Sequence, residues 1–127
     1  MDELIGRLVA DMGVDRAAAE KAVGIIFDFL AREGPSDKVR SLLARLPGAE
    51  ALMQKAASES AGGIGADIGG LMGGGVMGAG MRMMAAGLSM GQVQTVSREV
   101  IAYAREKVGQ DVVDETVAAI PGLSQFV

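Results

Sequence analysis

"GVDRAAAEKAVGIIFDFLAREGPSDKVRSLLARLPGAEALM", residues 13–53, lies over "GLSMGQVQTVSREVIAYAREKVGQDVVDETVAAIPGLSQFV", residues 87–127, without a gap at a constant offset of 74. Six positions are identical: Gly13/Gly87, Asp37/Asp111, Val39/Val113, Ala44/Ala118, Pro47/Pro121 and Gly48/Gly122. The apolar pattern carries more weight than the identities, because it keeps the same helical faces. Val39, Leu42, Leu43 and Leu46 fall at i, i+3, i+4 and i+7, one stripe of a short helix. Val113, Thr116, Val117 and Ile120 repeat the stripe position for position. Upstream, Ala22, Ile26, Phe27, Phe29 and Leu30 map onto Val96, Val100, Ile101, Tyr103 and Ala104. A shared period marks a shared supersecondary unit. The chain therefore reads as a duplication, with Leu43 and Val117 expected as equivalent core residues.

Local signals set the boundaries of each unit. Asp15 and Ser89 stand where N-caps belong, and Ser89 with Gln92 has the spacing of a capping box. Gly34-Pro35 and Gly109 close the long helices, while Ser36 and Gln110 open the short ones. Each unit is expected to hold a helix of about 17 residues, a tight turn and a second helix of about 10. Both end at Pro-Gly, where Pro cannot continue the ladder and Gly permits the reversal. Ahead of the first unit, residues 2–12 place Leu4, Ile5, Leu8, Val9 and Met12 on one face of a further helix, whose counterpart by the offset is 76–86.

Composition agrees with helices. Half of the 127 residues are apolar, yet Phe27, Phe29, Tyr103 and Phe126 are the whole aromatic set, so Ala, Val, Leu, Ile and nine Met must build the core. That mixture favours helix over strand. The expectation is an all-α protein, a single domain over 1–127, with repeat units 13–53 and 87–127 about a pseudo-twofold arrangement.

Between the units, residues 62–80 ("GGIGADIGGLMGGGVMGAG") hold ten glycines and one charge, Asp67. A plain linker would pair glycine with Ser or charged residues, whereas Ile64, Ile68, Leu71, Met72, Val76 and Met77 are oily. Gly65, Gly69 and Gly73 recur every four residues, as do Gly70, Gly74 and Gly78, the small-xxx-small spacing that lets backbones approach closely. The favoured reading is a close-packed, partly helical connector within the domain or a dimer. A membrane segment is the rival, long enough from Ile64 to Met84 but opposed by Asp67 and Arg82. The six Met between 72 and 90 suit an adaptable contact surface, with core filling the plainer expectation.

The order of a helical half ending in "LPGAEALM", a Gly-rich stretch, "GLS" and a second half with "VIAYAREKVGQDVVDETVAAIPG" resembles the Vcg-type family of uncharacterised bacterial proteins, a domain of unknown function. The resemblance implies a small protein of paired helical repeats with no established activity, and it supplies no catalytic residue. The run "MRMM" at 81–84 departs from that pattern.

Charge and chemistry exclude several functions. The net charge of −4 is spread evenly: residues 1–60 carry eight basic and ten acidic side chains, residues 61–127 four and six. Neither half has the basic excess that phosphate neutralisation needs, so no nucleic acid partner is expected. A basic cluster such as Lys38, Arg40 and Arg45 reads as a solvated helix face. With no Cys and no His, thiolate chemistry and the commonest general base and metal ligand are missing. No glycine precedes a Lys, so no phosphate-binding loop is present. "GIGADIG" (63–69) follows a helical stretch rather than the strand a dinucleotide fingerprint requires. Asp111 with Glu115, and Asp11 with Asp15, are carboxylate pairs one turn apart, too few oxygens for a cation and best read as charges at helix starts. Ser58, Ser60, Ser89, Ser97 and Tyr103 lack an activating base. The expectation is no enzyme, no metal and no cofactor. "MDELIGRLVAD" has acids where a signal peptide needs bases, so a cytoplasmic location is expected. The favoured function is a non-catalytic helical interaction or scaffold module binding a protein partner or a second copy of itself. The alternative is a membrane-surface or envelope-associated protein using the Gly-rich segment.

Overall fold

A computed structural model of the chain describes residues 2–34, 36–61 and 75–120. Among them the fold is all-α, seven helices with no strand. Helix α1 (Asp2–Met12) turns Leu4, Ile5 and Leu8 inward, as its apolar spacing requires, and keeps Asp2 and Glu3 in its first turn where the helix dipole favours them. Gly13 reverses the chain into α2 (Arg16–Glu33), whose N-cap Asp15 is extended and makes no side-chain cap bond.

Every residue of α2 from Ala22 to Leu30 is buried, Gly24 and Asp28 included. A helix hidden on all sides needs neighbours on all sides. α2 has them: α1, α3 (Ser36–Ala44), α4 (Ala49–Ala61), α5 (Gly75–Ala85) and α6 (Met90–Val108) all pack on it. It is the axis of the molecule. Helix α6 begins at a full capping box, Ser89 accepting from the Gln92 backbone while the Gln92 side chain accepts from the Ser89 N–H. It ends at Gly109, and α7 (Gln110–Ala119) follows at once.

Two pairs of helix starts stand 74 residues apart. α2 starts at Arg16 and α6 at Met90; α3 starts at Ser36 and α7 at Gln110. The identity Gly13/Gly87 has a backbone cause, since both glycines hold the left-handed region, φ +66° and +106°, in the turns ahead of the long helices. α1 lies on α2 and α6, α5 lies on α6 and α2, α2 meets α6, and α3 meets α7.

One expectation is corrected. The short-helix stripe centres on Leu42, which is fully buried, while Leu43 is only half-buried against the core; Val117 is buried. Helix α3 is thus rotated slightly from the orientation the stripe alone suggests. The end of the stretch read as a partly helical connector, 62–80, belongs to α5, so Gly75, Gly78 and Gly80 are helical despite their poor propensity. Packing of α5 on α2 and α6 outweighs the cost of about 1 kcal/mol per glycine. Residues 62–74, and residues 121–127 at the end of the second unit, lie outside the described residues.

Candidate interaction face

α5 is fixed from the inside by two consecutive residues. Met83 is buried in the core, and Arg82 donates from its guanidinium to Asp28 of α2 at 2.9 Å. Asp28 is itself buried, and Arg32, one turn on, also reaches it at 3.2 Å. Removing a carboxylate from water is costly unless it is paired and hydrogen-bonded, so two guanidinium groups on one carboxylate make this burial tolerable. The pair also fixes the rotation of α5.

With Arg82 and Met83 turned to the core, helical geometry sends Met81 and Met84 the other way, and Ala85 beside them is exposed as well. Met81 is 44% and Met84 45% exposed, one turn apart on this outward face. Met90, in the first turn of α6, is 50% exposed. These are the exposed large hydrophobic side chains among the described residues. The methionines of this stretch whose side chains are described therefore divide: Met83 fills the core, while Met81, Met84 and Met90 face solvent, where core filling was the plainer expectation. Flexible thioether side chains suit a surface that must adapt to a partner.

The glycines expected as a close-packing interface cannot be placed there. Gly65, Gly69, Gly70, Gly73 and Gly74 lie outside the described residues, and Gly78 is described only as part of the α5 backbone. Gly80, the last of the run, is buried, yet a Cβ built on it meets no atom of the described residues within 4 Å. Close packing is found elsewhere. A Cβ on Gly34 would stand 2.7 Å from the Leu30 carbonyl oxygen and 2.9 Å from Cγ2 of Val39. Gly80→Ala is accordingly expected to stabilise the protein by about 0.5–1 kcal/mol, through helix propensity, and Gly34→Ala to destabilise it by about 1–3 kcal/mol, through overpacking. Thermal melts of the two variants would show opposite shifts.

The side chains considered for chemistry are dispersed. Asp111 and Glu115 are exposed on α7, and Glu115 is ion-paired with Lys38 of α3. Asp11 and Asp15 are exposed at the α1–α2 turn. Ser89 is occupied as a cap, and the buried Ser97 hydroxyl donates to the Val93 carbonyl oxygen one turn back. Tyr103 is buried at the place of Phe29, with Lys107 Nζ 5.6 Å from its ring centroid. The side chains of Ser58 and Ser60 lie outside the described set. Among the described residues no group of three His, Cys, Asp or Glu could hold a metal ion, and no helix is long and apolar enough to cross a membrane.

Sequence reasoning missed the Asp28–Arg82 pair. The signal was present: Asp28 is the one charge in "VGIIFDFL" (23–30), a run otherwise fit only for the core, and a charge there requires a partner. No protein-family model matches the chain, and neither a curated protein nor a solved structure matches it.

Proposed function

We propose that this chain is a non-catalytic helical interaction module, that its partner is a second copy of itself, and that the outward face of α5 is the contact surface. The observation that carries the reading is the pair Met81 and Met84, left in solvent on a helix whose opposite side is locked into the core by Met83 and Arg82. A contact between apolar faces removes both from water, and methionine re-packs at little cost in strain. A lipid surface is the weaker partner for this face. Interfacial helices pair their apolar side with a rim of Lys and Arg, and the one basic residue of α5, Arg82, is committed to Asp28.

The two halves are read as copies of one unit, as in the paired repeats of the Vcg-type proteins. The shared helix starts and the common conformation of Gly13 and Gly87 support that reading. An architecture of this kind needs no reaction chemistry to account for it. Sedimentation of the parent and of Met81→Glu/Met84→Glu tests the assignment. The parent is expected to sediment as a dimer or larger, and the variant as a monomer with an unchanged melting temperature, because both side chains are already solvated in the isolated fold. A parent that stays monomeric at every concentration, and floats with anionic liposomes, would transfer the surface to membranes.

A further inference from the structure

Over Met81-Arg82-Met83-Met84, helix α5 sorts three thioethers by exposure. Met83 is 2% exposed in the core, whereas Met81 and Met84 stand 44% and 45% exposed on the outward face. With no cysteine in the chain, thioethers are its only sulfur groups open to reversible oxidation. A peroxide reaches sulfur where solvent does, so the outward pair can react from the folded state, and Met83 only through local opening. That opening is opposed on both sides of Met83. Arg82 is bound to Asp28 at 2.9 Å, and the Leu88 N–H donates to the Met83 carbonyl oxygen at 3.2 Å.

We infer that Met81 and Met84 form a modification site for hydroperoxides, and that their conversion to sulfoxides releases the self-contact of α5. The release rests on the reading of this face as the contact between two copies. Each sulfur lone pair attacks the outer peroxide oxygen; an S–O bond forms as the O–O bond breaks, and the other oxygen leaves as water or an alcohol. Sulfur gives up two electrons and the peroxide takes them, so no further reactant is needed. The product is a polar, chiral side chain where the thioether was apolar. In solvent the new oxygen is hydrated, and the fold loses nothing. Between two apolar faces it would be buried without a donor, which is costly. At Met83 the same oxygen would enter the core and disrupt the fold. The sorting of these three methionines thus separates a change of association from damage to the chain. The change is reversible, because methionine sulfoxide reductases return the thioether, one enzyme for each epimer.

The test treats the full-length protein with hydrogen peroxide in dilute solution and follows each methionine by tandem mass spectrometry. Tryptic cleavage after Arg82 separates Met81 from Met83 and Met84, and fragment masses separate the last two. Met81 and Met84 are expected to gain one oxygen at least about tenfold faster than Met83, with exposed Met90 of α6 as the standard for an open thioether. At that stage the melting temperature is expected to hold, while the sedimenting mass at high concentration falls to that of one chain. The two reductases then restore the parental mass. Met81→Leu/Met84→Leu keeps the face apolar without its sulfur, and is expected to stay associated through the same treatment.

Met83 oxidised as fast as its neighbours, or a fold that melts as Met81 and Met84 react, overturns the modification site. A dimer that survives full oxidation of both, or a leucine variant that dissociates as the parent does, overturns the release. A parent that is a single chain at every concentration before peroxide removes the self-contact, and the release with it. The order of oxidation still judges the site in that case.

Discussion

Leu42→Asp is expected to unfold the protein at room temperature, while Leu43→Asp, one residue on, leaves it folded. Leu42 is fully buried on α3, where α2, α6 and α7 converge. Losing a buried leucine costs about 2–5 kcal/mol through transfer and cavity terms. The carboxylate then adds several kcal/mol, because it is taken from water without a compensating charge. Lys38 stands one turn earlier but is engaged with Glu115 of α7. The total approaches the whole stability of a typical domain, about 5–15 kcal/mol. Leu43 is half-buried at the edge of the core, so its carboxylate can reach solvent and the expected cost is about 1–2 kcal/mol. Circular dichroism melts decide the matter. Loss of the cooperative transition in both variants would mean that α3 presents a different face to the core from the one described.

The same pair shows how far the sequence could be read. Periodicity identified α3 and α7 and their shared stripe, because i, i+3, i+4, i+7 spacing follows from 3.6 residues per turn. It could not rank Leu42 against Leu43, since neighbours on a stripe differ by 100° and only the packed neighbours say which points deeper. At the equivalent of Leu42 stands Thr116, which a polarity scale would send outward. It is buried because its hydroxyl donates to the Val112 carbonyl oxygen at 2.8 Å, one turn back. The Ser89–Gln92 capping box was fully legible, because both of its bonds are local. The Asp28–Arg82 bond links residues 54 apart, and no local rule could supply the partner. The exposed face of α5 was hidden for the same reason. Sequence spacing shows that Met81 and Met84 share a side of a helix, but only the packing of Met83 and Arg82 shows that this side is the outer one.

Phe27→Ala is expected to lower stability by about 3–5 kcal/mol, and Ile101→Ala, at the matching position of the second half, by less. Phe27 is the largest of the fully buried side chains, at the middle of α2. Five helices surround α2, so the walls of the cavity left by the ring are each held by other contacts and cannot collapse into it. Ile101 is also buried, but its removal opens a smaller space, and α6 is free on one side, with Arg98, Ala102 and Arg105 exposed. That helix can shift inward and recover part of the lost contact, whereas α2 has nowhere to move. For a chain of this size the Phe27 variant should melt roughly 10–20 °C below the parent. Urea titration gives the free energies directly, and equal slopes for parent and variants would show that the native states remain comparably compact. An Ile101→Ala cost equal to or above that of Phe27→Ala would remove α2 from its place as the axis of the fold. It would make the two halves equal in their tolerance of a cavity, as a symmetric pair of units would be if nothing but α1 and α5 covered them.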